Sequence, residues 1–257
     1  MLANTFSLTG KTVLVTGASS GLGAHFARLA QAAGARVVLA ARRVERLQAL
    51  AEALQANGGE ALAVALDVTR RDSVEQAFDQ AEARFGVVDV IINNAGIGDP
   101  GRFLDMREQD WQRMLSTNLD GVFHVAQCAA QRLVKAGQPG SIVNIASILG
   151  LRVGSGLSHY CTAKAAVVQL TKAMALELAR YRIRVNAIAP GYFRTEMNED
   201  YFDSEDGQGY IKNHVPMRRL GQLHELDGPL LLLASDAGAF MTGSIVAVDG
   251  GHLVNPL

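Results

Sequence analysis

The sequence predicts an α/β protein built on a doubly wound parallel sheet. Three features support this prediction: apolar runs alternate with longer helical patterns, a glycine-rich loop joins the first run to an alanine-rich helix, and no repeat, linker or low-complexity stretch interrupts the order. Strands that alternate with helices form parallel sheets through right-handed crossovers. The 257 residues are within the size range of one such domain, so 1–257 is predicted to be a single domain.

The individual elements follow from local patterns. The first strand is the β-branched and aliphatic run Thr12-Val13-Leu14-Val15-Thr16, and further apolar runs alternate with helical segments after it. Strands are predicted at residues 12–16, 36–40, 61–66, 88–92, 141–146, 183–189 and 244–248. Helices are predicted at residues 22–33, 43–56, 71–85, 107–136, 159–180 and 224–234.

A glycine-rich loop, Gly17-Ala18-Ser19-Ser20-Gly21-Leu22-Gly23, lies between the first strand and the first helix. Gly17 permits a tight turn, Gly21 lets backbone N–H groups approach a pyrophosphate, and Gly23 lets the helix pack closely on the strand. Strand, loop and helix start therefore predict a dinucleotide-phosphate site. The alternative is a glycine-rich loop without a ligand.

Tyr160 and Lys164 are four residues apart on a predicted helix, so the phenol and the ammonium face the same space. A phenol has an ordinary pKa near ~10, and a neighbouring cation lowers that pKa by favouring the phenolate. Ser147 ends an apolar run and can donate its hydroxyl to a carbonyl oxygen or orient an alcohol. Together the three residues predict proton transfer to or from a C–O group. The alternative for Tyr160 alone is a half-buried helix tyrosine.

With these motifs, the chain resembles the classical short-chain dehydrogenase/reductases over nearly its whole length. The matching residues are Thr16 to Gly23, Asn93-Asn94-Ala95-Gly96, Asn118, Ser147, Tyr160, Lys164, Pro190-Gly191 and Thr195. The resemblance implies a Rossmann-type three-layer fold whose seven parallel strands are in the order 3-2-1-4-5-6-7. It also implies four catalytic roles: Tyr160 is the acid/base, Ser147 positions the substrate oxygen, Lys164 binds the nicotinamide ribose and lowers the pKa of Tyr160, and Asn118 holds the water chain of a proton relay.

The same resemblance implies further cofactor contacts. Asp67 and Val68 would hold the adenine, although Asp67 can also cap the helix that begins near Arg70. The segment from Asn94 to Gly96 is either structural or ligand-binding. The predicted cofactor-binding residues are Gly17, Ser19, Ser20, Gly21, Leu22, Gly23, Arg42, Arg43, Asp67, Val68, Asn94, Ala95, Gly96, Tyr160, Lys164, Pro190, Gly191, Phe193 and Thr195.

The end of the second strand favours NADP(H) as the cofactor, with NAD(H) as the alternative. An NAD site usually places Asp or Glu here to bind the ribose hydroxyls, whereas this chain has Ala41 followed by Arg42 and Arg43. Arg42 can hold a 2′-phosphate, assisted by Arg43 or Ser19. Ser20 departs from the basic residue that many NADP-dependent relatives carry. The alternative is that both arginines are solvated at the start of the next helix.

Composition excludes several other functions. The net charge is −1 and the charges are dispersed, which argues against nucleic acid as a partner. No apolar run approaches the roughly 18–20 residues that cross a bilayer, and Met1 to Gly10 have no secretory pattern. Cys128, Cys161 and the scattered histidines lack metal-ligand spacing, so no metal site is predicted. A cytoplasmic location is expected.

The predicted substrate is a small ketone or secondary alcohol. Its binding site is expected in residues 98–103, 149–157 and 192–215, the last being either a mobile lid or a solvated loop. A 3-oxoacyl-carrier reductase and a polyol, sugar or steroid dehydrogenase remain alternatives within the family. A non-catalytic dinucleotide sensor or scaffold is the alternative outside it. The apolar helices near 107–136 and 159–180 predict a homodimer or homotetramer, because members of the family commonly pair through them.

Overall fold

The computed structural model describes residues 5–196 and 198–255. Within them, seven parallel strands form one sheet in the order β3-β2-β1-β4-β5-β6-β7, which confirms the predicted topology. The strands are β1 (Thr12–Thr16), β2 (Arg36–Ala41), β3 (Ala61–Ala65), β4 (Val90–Asn93), β5 (Gly140–Ile145), β6 (Ile183–Pro190) and β7 (Ile245–Val248).

The helices cover both faces of this sheet. They are α1 (Gly21–Ala32), α2 (Val44–Ala56), α3 (Arg71–Phe85), α4 (Glu108–Leu115), α5 (Gly121–Ala136), α6 (Ser158–Leu178), α7 (Glu199–Asp203), α8 (Glu205–His214) and α9 (Asp227–Ala234). Val13 and Val15 pack on one side with α1, α2 and α9, whereas Leu14 packs on the other side with α3, α5 and α6. Because successive side chains point to opposite faces, a strand covered on both sides is apolar throughout.

Two predicted elements differ in detail. The helix predicted at 107–136 is α4 and α5 joined by a π-helical segment, Ser116–Asp120, and the backbone stays helical through both junctions. The segment predicted as a lid, 192–215, contains α7 and α8 and includes residue 197, which lies outside the described residues. Residues 1–4 and 256–257 of the predicted domain also lie outside them. None of the helices in the described ranges is both long enough and apolar enough to cross a membrane.

The sheet topology creates a crevice at one edge. The chain proceeds from β1 to β2 and β3 in one direction and then returns to β4, β5 and β6 on the other side of β1. Loops that leave the carboxyl ends of β1 and β4 therefore diverge and leave a gap between them. The predicted site residues follow these strands in the sequence, so the fold gathers them at this edge.

Candidate active site

One cavity of about 320 Å³ runs along the carboxyl ends of the strands. The glycine loop and the end of β2 form one part of its wall, and Ser147, Tyr160 and Lys164 form another. Of the predicted site residues, the following line it: Gly17, Ser19, Ser20, Gly21, Leu22, Arg42, Arg43, Asp67, Val68, Asn94, Ala95, Gly96, Ser147, Tyr160, Lys164, Pro190, Gly191, Phe193 and Thr195. Gly23 and Asn118 lie behind this wall.

The glycine loop has the conformation that its sequence requires. Gly17 and Gly21 have φ values of 67° and 53°, in the left-handed region that favours glycine. A Cβ at Gly23 would lie 2.3 Å from the carbonyl oxygen of Gly17, so only glycine allows α1 to pack this closely on the loop. Gly23 thus shapes the site from behind.

The start of α1 is suited to an anionic group. A helix leaves its first N–H groups without intrahelical partners, and these carry partial positive charge. The first turn after Ser20 contains no charged side chain, and the Ser20 hydroxyl accepts a hydrogen bond from Arg43 Nη2 at 2.6 Å. The amides and the guanidinium together fit a dinucleotide phosphate.

Arg42 and Arg43 lie at the end of β2, where the sequence predicts recognition of a 2′-phosphate. Both side chains are exposed at the cavity. Arg43 donates to Ser19 Oγ from Nε at 3.1 Å and from Nη2 at 2.9 Å. Ala41 is 8% exposed and leaves no carboxylate at this point of the wall. The region is therefore cationic.

Asp67 lines the cavity but does not cap α3, which corrects one of its two predicted roles. Its carboxylate accepts hydrogen bonds from the backbone N–H of Thr69 at 3.0 Å and from the Thr69 hydroxyl at 2.7 Å. The helix begins four residues later, at Arg71. Asp67 therefore stabilises the turn after β3, and a contact with adenine stays a prediction.

The segment Asn93–Gly96 holds two loops together. Asn94 Nδ2 donates to the Thr16 carbonyl at 3.0 Å, and Thr16 Oγ1 accepts from the N–H groups of Asn94 and Ala95, each at 3.0 Å. These bonds join the carboxyl ends of β1 and β4. The structural role predicted for Asn94 is thus present, and sequence reasoning did not give Thr16 its part in it.

Ser147, Tyr160 and Lys164 meet where β5 approaches the first turns of α6. Ser147 is 7% exposed, and its hydroxyl accepts from Leu149 N at 3.1 Å. The same hydroxyl is close enough to the Tyr160 phenol to influence the pKa of that group. Lys164 is 5% exposed, and Nζ donates to the Ile145 carbonyl at 2.9 Å. This nitrogen lies 5.7 Å from the centroid of the Tyr160 ring. The three side chains predicted to act together are therefore neighbours.

The pKa of Tyr160 departs from the prediction. The resemblance implies that Lys164 lowers it, but burial raises the pKa of Tyr160 above its ordinary value, and the neighbouring Ser147 hydroxyl only opposes this rise. The Lys164 ammonium is directed to the Ile145 carbonyl. Burial lowers the pKa of Lys164 itself to about 8. The phenol of Tyr160 is accordingly protonated at neutral pH.

Asn118 supports the cavity wall rather than lining it. Its side chain is fully buried in the π-helical segment, where Oδ1 accepts from Ile97 N and Nδ2 donates to Ile97 O, both at 2.8 Å. The amide thereby fixes the chain after Gly96. Its neighbour Thr117 does line the cavity. The role of Asn118 in a proton relay stays a prediction.

Several residues on the wall were absent from the sequence-based prediction. Asn198 Oδ1 accepts from Thr195 N, and Asn198 Nδ2 donates to the Phe193 carbonyl, both at 2.9 Å. Asn three residues after Thr195 was an available turn signal. The others on the wall are Ala40, Ala41, Leu66, Thr69, Ile97, Thr117, Ile145, Ala146 and Glu196. Across the described ranges, no cluster of three or more His, Cys, Asp or Glu side chains is placed to hold a metal ion.

The chain is similar to known proteins over nearly its whole length. A family model described as enoyl-(acyl carrier protein) reductase matches residues 17–252. Gluconate 5-dehydrogenase of Gluconobacter oxydans (strain 621H) is 38% identical over 250 residues, covering 97% of each chain. A short-chain type dehydrogenase/reductase from Mycobacterium marinum has a TM-score of 0.93 and 43% identity, covering 98% of this chain and 99% of that one. A gluconate 5-dehydrogenase from Burkholderia cenocepacia J2315, in complex with NADP and tartrate, has a TM-score of 0.96 and 36% identity, covering 100% of both chains.

Proposed function

The chain belongs to the short-chain dehydrogenase/reductase family, and on that premise we propose that it transfers a hydride between NADP(H) and a ketone or secondary alcohol, with Tyr160 as general acid and base. The observation that carries the proposal is the continuity of one cavity: the cationic end of β2, the glycine loop and the Ser147–Tyr160–Lys164 group all line it. Residues 1–257 form a single catalytic domain in this proposal.

The residues present fit a nicotinamide dinucleotide. Bound NADP(H) supplies the hydride donor or acceptor. Arg42 and Arg43 would hold its 2′-phosphate, and the backbone N–H groups at the start of α1 would hold its pyrophosphate. Lys164 would donate to the nicotinamide ribose. The relative from Burkholderia cenocepacia J2315, which was solved with NADP, supports this choice.

The side chains of this chain handle the proton. With its pKa raised, Tyr160 keeps its proton at neutral pH and can donate it to a carbonyl oxygen as that oxygen gains charge. Ser147, whose hydroxyl lies beside the phenol, can donate to the same oxygen and fix its position. In the reverse direction the phenolate of Tyr160, which forms as the pH rises through the raised pKa, accepts the proton of the alcohol.

A substrate screen with both cofactors tests the proposal. Purified enzyme is incubated with NADPH or NADH and a set of carbonyl compounds that includes a keto sugar acid, a 3-oxoacyl thioester and a simple cyclic ketone. We expect loss of absorbance of the reduced cofactor with at least one ketone, and faster loss with NADPH. A protein that binds neither NADPH nor NADH would refute the proposal.

Replacing Lys164 with Met is expected to weaken both cofactor binding and turnover. Met fills a similar volume but cannot donate to a ribose hydroxyl, and one hydrogen bond from a charged group accounts for about tenfold in affinity or more. Because burial disfavours the ammonium, the thermal unfolding midpoint of the free protein should not fall strongly. Fluorescence titration with NADPH measures the affinity. An unchanged affinity would contradict a ribose contact.

Self-association to a dimer or tetramer stays a prediction, and fewer residues support it than the sequence suggested. Many of the apolar residues on α5 and α6 pack against the sheet, whereas Phe123 and Val134 on α5 are 39% exposed and Leu176 on α6 is 84% exposed. Light scattering at micromolar concentration should show more than one chain per particle, and Phe123→Glu with Leu176→Glu should reduce the mass. A monomeric wild-type protein would contradict the prediction.

A further inference from the structure

Glu196 forms an ion pair across the mouth of the cavity. It directly follows Thr195 in the segment after β6, and its carboxylate accepts hydrogen bonds from Arg46 Nη1 at 2.8 Å and 3.1 Å. The same carboxylate lies 3.8 Å from Arg43 Nη1. Arg43 and Arg46 belong to the start of α2, on the far side of the opening. The contact therefore joins the segment 192–215 to the region proposed to bind a 2′-phosphate.

Arg43 is shared between two sets of partners. On one side it donates to the hydroxyl groups of Ser19 and Ser20, which hold its guanidinium over the glycine loop. On the other side it faces the carboxylate of Glu196. A phosphate that approaches this guanidinium must therefore share it with a negative charge that is already part of the protein.

We propose that Glu196 is a specificity-determining residue that limits the preference for the 2′-phosphorylated dinucleotide over the unphosphorylated one. Its carboxylate compensates part of the positive charge of Arg43 and Arg46, and it repels the phosphate. A free 2′-hydroxyl is neutral, so the carboxylate of Glu196 does not repel it. Both cofactors carry the same pyrophosphate, so any effect of Glu196 on that group is absent from the ratio of the two affinities. This inference rests on the proposed function.

The charges involved set the size of the effect. Arg43, Arg46 and Glu196 are all about half exposed, with side-chain exposures of 48%, 50% and 55%. Interactions between exposed charges are weak and are screened by salt. Glu196 should accordingly adjust the selection of the cofactor rather than decide it, and the protein should accept both dinucleotides to a measurable extent.

Glu196→Gln in the full-length protein tests the inference, with Glu199→Gln as its matched control. Glu199 is an exposed carboxylate three residues further along, at the start of α7 and outside the cavity wall. Dissociation constants for NADPH and NADH are measured by fluorescence titration at low and high salt. In Glu196→Gln the preference for NADPH should rise roughly two- to fivefold at low salt, and less at high salt. In Glu199→Gln the preference should not change.

The possible outcomes separate this inference from the proposed function. If Glu196 only stabilises the segment after β6 against α2, Glu196→Gln will weaken the binding of NADPH and NADH equally. The preference for NADPH will then stay constant, which overturns the inference. An equal gain in both variants would show a general charge effect and would overturn it as well. If the wild-type protein binds neither dinucleotide, the proposed function fails with it. An unchanged unfolding midpoint checks that the variants fold.

Discussion

Replacing Tyr160 with Phe will abolish turnover and leave cofactor affinity almost unchanged. The phenyl ring retains the packing of the tyrosine beside Ile148, Leu149 and Cys161, but the hydroxyl group proposed to donate the proton is lost. General acid/base assistance of this kind contributes ~10²–10⁴-fold to a rate. Steady-state rates with the best ketone from the screen, together with NADPH titrations, measure both quantities.

The rates of reduction and oxidation by the wild-type enzyme should depend on pH in opposite directions. Burial raises the pKa of Tyr160, so the protonated phenol that reduction needs is present at neutral pH and is lost only as the pH rises through that raised value. Reduction should therefore slow at alkaline pH, whereas oxidation of the alcohol should accelerate there.

Tyr181→Phe, at a tyrosine beyond the end of α6, is the matched control for Tyr160→Phe and should behave as the wild type. A Tyr160→Phe variant that retains more than about a tenth of the activity would remove the assigned role.

Exchanging the residues at the end of β2 will invert the selection of the cofactor. Arg42→Ala should weaken the binding of NADPH by about tenfold or more, because the proposed charge-assisted contact with the 2′-phosphate is lost. The binding of NADH should be nearly unaffected. Adding Ala41→Asp places a carboxylate on the cavity wall. This group can accept hydrogen bonds from the free ribose hydroxyls and repels a phosphate, so the double variant should prefer NADH.

Arg28→Ala provides the comparison for this exchange. Arg28 is an exposed arginine on α1 that donates to the Ala24 carbonyl at 3.3 Å, outside the cavity wall. Its removal changes the net charge by the same amount and should not alter the ratio of the two affinities. Equal losses for NADPH and NADH in Arg42→Ala would mean that Arg42 supports the fold or stacks on the adenine. A wild-type preference for NADH would contradict the prediction outright.

Sequence was sufficient for the sheet and for most of the cavity wall, for a physical reason. Strands that are covered on both faces must be apolar along their length, so β1 (Thr12–Thr16) begins and ends at its predicted residues. Ligand-binding loops follow the carboxyl ends of parallel strands, so the order of the motifs in the chain also places them in space. Ser147 follows β5 in this way, whereas Tyr160 and Lys164 were recognised by their spacing of four residues on a helix.

Features that depend on contacts between distant parts of the chain could not be predicted from the sequence. The direction of the Tyr160 pKa shift depends on how completely the folded protein encloses the phenol. The Glu196–Arg46 pair joins residues separated by 150 positions, and neither side chain has a local pattern that identifies its partner. Asn118 was recognised by its motif, but its hydrogen bonds to Ile97 depend on the winding of the helix around it.

That winding has a consequence for how this part of the protein can change its length. Each residue of a regular α-helix advances the chain by about 100° around the axis, and a π-helical turn accommodates an additional residue without breaking the helix. Deleting one residue from Ser116–Asp120 would restore regular winding and leave α4 and α5 nearly in phase. The buried face of α5, with Val125, Ala129 and Leu133, would therefore stay against the sheet, whereas the amide of Asn118 would lose the position from which it binds Ile97. The additional residue thus serves the wall of the cavity and not the packing of the helix.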